Sequence, residues 1–195
     1  MIFTPIYSFI SIAKVEKDVY SLFFLQMSGF PGSGKSTLAR RISKLTGAVI
    51  IDHDIVKSAL LKSLDTDNID SNVAGKIAYD IDWSLIDFHL SQGQSTILDS
   101  PCFYAEMVEK GVRLSEKYNA NYKYVECYLN EIKEIQHRLK NRTPMISQIQ
   151  QVASEKAFLE WVDNSKKPTN IQCLRVDSGK PIEKYIDEVM LYINK

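Results

Sequence analysis

The sequence predicts a three-layer α/β domain, a parallel sheet with helices on both faces, and three observations carry that expectation. A glycine-rich loop, Gly29-Phe30-Pro31-Gly32-Ser33-Gly34-Lys35-Ser36-Thr37, lies between a short apolar run and a helical repeat. Strand-like and helix-like stretches alternate from there to the C-terminus, the pattern of right-handed crossovers. The run before the loop, Ser21 to Ser28, is mostly apolar without a polar face, as in a central strand covered on both sides.

Each element can be justified in turn. After the loop, Leu38, Ala39, Ile42 and Leu45 recur at helical spacing and Gly47 stands where a C-cap would. Ala48 to Asp52 reads as a second strand, with a helix over Ile55 to Leu64 behind it. Asp65 to Asn72 is polar and turn-rich. A long helix follows over about Val73 to Leu90, carrying Ile77, Ile81, Leu85 and Ile86. Ser95 to Asp99 is a third strand, Ala105 to Tyr118 a helix and Tyr122 to Leu129 a fourth strand. Glu131 to Lys140 is helical, and Met145 to Asn164 is a polar helical or mobile stretch. Ile171 to Val176 is a fifth strand, and Ile182 to Ile193 a closing helix.

The bulk properties bound the function. With 195 residues the chain builds one domain with a substantial core. Lys plus Arg equals Asp plus Glu at 24 each, so no global basic field gathers nucleic acid. Cys102, Cys127 and Cys173 are odd in number and widely spaced, which fits neither a disulfide framework nor a metal site. They read as small buried thiols, with Cys102 the more reachable. Residues 1–20 are fairly apolar but lack the basic start and cleavage site of a signal peptide. They are an N-terminal extension of uncertain structure. No stretch approaches membrane-spanning length, so a cytoplasmic protein is expected.

The loop implies a nucleoside triphosphate ligand. Its spacing, Gly-x-x-x-x-Gly-Lys-Ser, turns backbone N–H groups of residues 29–37 inward around phosphate oxygens. Lys35 would bring charge to the β- and γ-phosphates, and Ser36 a hydroxyl to Mg²⁺. The following helix directs its positive end at the same anion. In sheets of this kind ligands bind beyond the carboxyl ends of the strands. Topology alone therefore predicts that the loop, Asp52-His53-Asp54 and Asp99 converge.

Asp99 ends its strand as a Mg²⁺-holding acid would, directly or through water; the alternative is a cap for the turn at Ser100-Pro101. Asp54, after the neighbouring strand, is placed to receive a hydroxyl proton; the alternative is a cap for the helix from Ile55. His53 reads as an exposed loop residue. Arg138 and Arg142, four residues apart, share a helical face and are candidates for stabilising charge on a transferring phosphoryl group. The alternative is solvated cations at a helix end. Asp177-Ser178-Gly179 is a weak candidate for contact with adenine. Trp83, Phe88, Phe103, Tyr104 and Trp161 are candidates for framing a substrate or packing the core. No Asn-Lys-x-Asp guanine-reading motif occurs. Leu90-Ser91-Gln92-Gly93-Gln94 imitates a transporter ATPase signature, but too few residues separate it from Asp99; it is a helix end and turn.

Taken together, these residues resemble the small P-loop kinase-like proteins grouped as AAA-type ATPases of the zeta-toxin and chloramphenicol-phosphotransferase kind. Polynucleotide-kinase kinase domains and gluconate kinases are similar in architecture. The resemblance covers roughly residues 22–195 and is strongest in Gln26 to Thr37 and Val49 to Asp54. It continues in Ile97 to Pro101, Val125-Glu126-Cys127 and Arg138 to Arg142. It implies a domain over 21–195 with a lid at about 138–167, and a five-stranded parallel sheet in the order 2-3-1-4-5. It also implies Lys35 and Ser36 on phosphate and Mg²⁺, Asp54 as the base that activates the acceptor, and Asp99 as the third-strand acid. Arg138 and Arg142 match the lid arginines, and Lys57 stands near an acceptor-side Arg of many members. Lys lacks the bidentate fork of Arg, which weakens any expectation of a phosphorylated acceptor.

The expected function is an ATP- and Mg²⁺-dependent phosphotransferase for a small hydroxyl-bearing molecule. The alternatives are a slow ATP-hydrolysing switch or binding module, and a kinase for nucleic-acid 5′-hydroxyls. The oligomeric state is left open.

Overall fold

A computed structural model describes residues 21–64 and 70–195, apart from the side chain of Ser71. The N-terminal extension, residues 1–20, and most of the polar turn at 65–69 lie outside the described residues.

Five strands form one parallel sheet: β1 Phe23–Ser28, β2 Val49–Asp52, β3 Thr96–Asp99, β4 Asn121–Tyr128 and β5 Cys173–Asp177. Their order is β2-β3-β1-β4-β5, the order that the family resemblance implies. The register pairs Leu25 with both Ile97 and Lys123, and Asp52 with Asp99. The four crossovers carry α1 Lys35–Thr46, α2 His53–Ser63, α3 Ser71–Ser91, α4 Ala105–Lys117, α5 Ile132–Lys140 and α6 Glu155–Asn164, and α7 Ile186–Asn194 follows β5.

The apolar run of β1 is buried along its whole length because it serves two cores at once. Phe23, Leu25 and Met27 pack with Leu38 and Ile42 of α1 and Val189 and Ile193 of α7. Phe24 points the other way, into Trp83, Ile86 and Leu90 of α3, Met107 of α4 and Tyr124. Burying a large apolar side chain contributes about 1.5–3 kcal/mol, so this strand holds both outer layers to the sheet. A third, smaller cluster joins Phe30 of the loop to Leu129, Ile135, Leu139, Val152 and Phe158.

Element boundaries moved where local caps override periodicity. Asp52 accepts from the backbone N–H groups of Asp54 and Ile55, so α2 starts at His53 rather than Ile55. Asp70 caps α3 through the N–H of Asn72, which starts that helix at Ser71. The closing helix is interrupted: a 3₁₀ turn over Ile182–Lys184 precedes α7, with Tyr185 at φ −134° between them. The false transporter signature is the end of α3 and a turn through Gly93, at φ +71°. Among the described residues no helix is long and apolar enough to cross a membrane.

Cys102 is fully buried, as a small space-filling thiol would be, and is less reachable than Cys173 rather than more. It accepts from Gln26 Nε2 at 3.2 Å, and burial pushes its thiol up to about 11. Cys127 is also buried and Cys173 half-buried, and none is in a disulfide.

Helix α4 lies against β1 and β4 at Gly111. A Cβ there would meet Tyr122 Cε2 at 2.7 Å, Gln26 Oε1 at 2.8 Å and Phe24 Cε1 at 2.9 Å. Overpacking costs about 1–3 kcal/mol and outweighs the gain of about 1 kcal/mol in helix propensity. Gly111→Ala is therefore expected to lower the stability of the chain in urea unfolding; an equal or higher midpoint would refute this packing account.

Candidate active site

The loop between β1 and α1 takes a shape that its sequence requires. Gly29 sits at φ +138°, and a Cβ there would lie 2.2 Å from the carbonyl oxygen of Cys127. No other residue fits that approach of the loop to β4. Gly34, at φ +85°, caps α1 without a side chain, and no acidic residue occupies the first turn of that helix. Its free N–H groups and positive end are thus left for an anion. Lys35 Nζ donates to Gly29 O at 2.7 Å and Phe30 O at 3.4 Å, which holds the ammonium over the loop. Ser33 Oγ is buried with no hydrogen-bond partner among the described residues.

Two carboxylates stand opposite each other at adjacent strand tips, Asp52 on β2 and Asp99 on β3. Asp99 is buried, with Oδ2 unpartnered among the described residues. Burial raises its pKa, and the Lys35 ammonium and the Ser36 hydroxyl beside it pull it back down. Asp52 is pushed up to about 6, first by burial and then by Asp99. Among the described residues no cluster of three or more His, Cys, Asp or Glu offers a self-sufficient metal site. An orphaned carboxylate oxygen next to a serine hydroxyl is nevertheless the oxygen chemistry a hard cation such as Mg²⁺ takes when phosphate oxygens complete its shell. The residues present fit that ion.

Asp54 lies in the first turn of α2, so it and Asp52 do not share an extended strand face. It is not the cap, a task that falls to Asp52. Its carboxylate instead receives Ser147 Oγ at 3.0 Å and Gln148 Nε2 at 2.9 Å. Neither partner was legible in the sequence, since no motif marks them and more than ninety residues intervene. Burial lowers the pKa of Arg142, and the nearby Asp54 carboxylate offsets part of that. Its Nη2 donates to Ile149 O at 2.7 Å. Arg138 turns elsewhere, donating to Glu134 Oε1 at 2.8 Å and to Ser178 O at 3.0 Å. A Cβ on Gly34 would lie 3.9 Å from Arg138 Nη1, so this guanidinium borders the phosphate loop. The two arginines line one cavity but face different groups.

That cavity, about 1510 Å³, is bounded by Pro31, Gly32 and Gly34 to Thr37, and by Asp52, Asp54, Asp99, Arg138 and Arg142. Lys57, Trp83, Phe103, Tyr104, Trp161 and Ser178 also line it, whereas Phe88 does not and is exposed. His53 corrects the sequence reading of an exposed loop residue. It is buried, stacked on Tyr79 at 3.9 Å, with Nδ1 2.7 Å from Asp82 Oδ2. Asp82, fully buried, is raised by burial and lowered by its bond to His53.

Raised carboxyls make stability depend on pH with a definite sign. An acid whose folded pKa exceeds its unfolded value of about 4 adds stability fully below that value and loses it as pH rises through the folded one. For Asp52 the window runs from about 4 to about 6. Asp52→Asn keeps a capping side chain that never ionises. Its melting temperature should exceed wild type above the window and converge with it below; an offset equal at both ends would refute this.

The family model for an AAA domain matches residues 25–168. No protein of curated function matches the sequence. Solved structures match the fold at low identity. A Chloroflexus aurantiacus protein with a provisional kinase assignment has a TM-score of 0.67 at 16% identity, over 89% of this chain and 97% of that one. A Sinorhizobium meliloti gluconokinase has a TM-score of 0.56 at 15% identity, over 90% of this chain and 93% of that one. An APS kinase from Mycobacterium tuberculosis has a TM-score of 0.54 at 15% identity, over 91% of this chain and 100% of that one. By the span of the family match and this sheet order, the chain belongs to the AAA domain family, with the fold of the P-loop kinases.

Proposed function

We propose that this protein is an ATP- and Mg²⁺-dependent kinase that phosphorylates a hydroxyl of a small molecule. The observation that carries this is the presence of Asp54, beyond the tip of β2, in the same cavity as the phosphate loop, Ser36 and Asp99. A protein that only binds ATP has no need of a carboxylate there; a hydrolase would direct the same carboxylate at water, a seat that Ser147 Oγ takes at 3.0 Å from Asp54 Oδ1.

The loop N–H groups and the start of α1 would bind the phosphates, and Lys35 would neutralise the β/γ region. A Mg²⁺ held by Ser36 and Asp99 would supply further positive charge to the phosphate oxygens. Asp54 would accept the proton of the acceptor hydroxyl as that hydroxyl's oxygen attacks the terminal phosphorus, the bond from that phosphorus to the β,γ-bridging oxygen breaks and ADP leaves. Arg142, bordering Asp54, and Arg138, bordering the loop, would stabilise charge on the moving phosphoryl group. The structural neighbours described above include kinases of gluconate and of APS, which supports a small acceptor. The cavity wall supports it too. Lys57, Lys76 and Lys110 are interspersed with Asp80 and Glu106, a mixed-sign lining rather than the single-sign groove that a nucleic-acid backbone selects.

Two substitutions separate binding from chemistry. Lys35→Ala should abolish ATP binding in calorimetry. Asp54→Asn should leave ATP affinity within about threefold while lowering transfer at least about 10²-fold. The measurement is phosphate transfer from γ-labelled ATP into a metabolite extract. Transfer by Asp54→Asn within a few-fold of wild type would remove the base assignment.

A further inference from the structure

The candidate base is clasped by the segment between α5 and α6. Ser147 Oγ lies 3.0 Å from Asp54 Oδ1 and 3.1 Å from the Asp54 carbonyl oxygen, so its one proton is directed at Asp54. The Ser147 N–H donates to Ser58 Oγ at 3.2 Å, and the two serine hydroxyls are 2.9 Å apart. Gln148 Nε2 holds the other carboxylate oxygen at 2.9 Å. The turn that presents them is braced twice. Gln148 N donates to Met145 O at 3.0 Å and Met145 N to Gln148 Oε1 at 3.2 Å. Arg142 Nη2 fastens it again at Ile149 O. Ser58 is buried, so its hydroxyl has Ser147 as its partner within the fold rather than bulk water.

A hydroxyl donating to a general base is the contact that a phosphoryl acceptor makes. Here an internal hydroxyl makes it. We propose that Ser147 is a stand-in for the acceptor hydroxyl, and that Gln148 is a positioning residue that keeps the Asp54 carboxylate aimed. This rests on the kinase reading given above. An acceptor gains the base by displacing Ser147 from Oδ1 while Gln148 retains Oδ2. With Ser147 in place, water is denied the same seat, which restrains wasteful hydrolysis of ATP. Specificity follows as well: an acceptor must bring a hydroxyl that competes with a tethered one. An acceptor lacking a hydrogen-bonding group for the vacated Ser58 would leave that buried hydroxyl unpaired, which is unfavourable.

The test needs no knowledge of the acceptor. Basal phosphate release from γ-labelled ATP with Mg²⁺ is measured on the full chain, beside ATP binding by calorimetry and a thermal melt. Ser147→Ala should bind ATP as wild type does and raise basal release about three- to tenfold, the population shift that loss of one latch hydrogen bond gives. Ser147→Thr, which keeps the hydroxyl, should stay near wild type. Ser147→Ala with Asp54→Asn should lose the gain, since the freed group is the base itself; a merely structural role for Ser147 would give no Asp54-dependent gain. Basal release by Ser147→Ala at or below wild type, with ATP binding intact, would overturn the proposal. So would phosphate incorporated on Ser147, which would make that side chain an acceptor rather than a stand-in. Absence of ATP binding by wild type would instead overturn the kinase reading on which it depends.

Discussion

The site is organised by an unfavourable proximity. Parallel register between β2 and β3 sets Asp52 opposite Asp99, two carboxylates withdrawn from water at neighbouring strand tips. Like charges so placed resist ionising together, and burial adds to the resistance. The nearest relief on the Asp99 side is Lys35, held over the loop by the carbonyls of Gly29 and Phe30. On the Asp52 side relief comes from the N–H groups that open α2. The pair therefore links the phosphate loop to the helix that carries Asp54. A cation arriving at Asp99 would lower the pKa of both carboxyls.

Much of this was legible before any coordinates. The loop spacing, the alternation of elements and the placement of acids after apolar runs follow local rules, and a parallel sheet turns those rules into convergence. The sheet order came from the family resemblance, since spacing does not determine how strands are shuffled. Boundaries shifted by a residue or two at Asp52 and Asp70, where a side-chain cap decides the first turn.

What stayed hidden is of one kind, pairings between residues far apart in sequence with no periodic signature. His53 reads as a surface residue because its neighbours are polar, yet Asp82 and Tyr79 from α3 enclose it. Ser147 and Gln148 lie in a polar stretch that looks like solvent-facing turn. Cys102 follows a proline at a loop start, which makes it look the more reachable thiol, yet Gln26 and Tyr124 enclose it. The arginine pair illustrates the limit of helical spacing: α5 ends at Lys140, so Arg142 lies beyond the helix that carries Arg138 rather than on one face of it, and the two reach different partners.

One further feature bears on how such a protein can change. Phe30 occupies a nominally variable position of the phosphate loop, yet its ring meets those of Phe158 and Trp161 on α6 at 4.9 Å each. Trp161 in turn meets Phe103 at 4.7 Å. Transplanting a relative's loop with a polar residue at that place would strip α6 of its aromatic anchor. Loop and helix must then be inherited as a unit, and divergence at one is restricted by the ring geometry of the other.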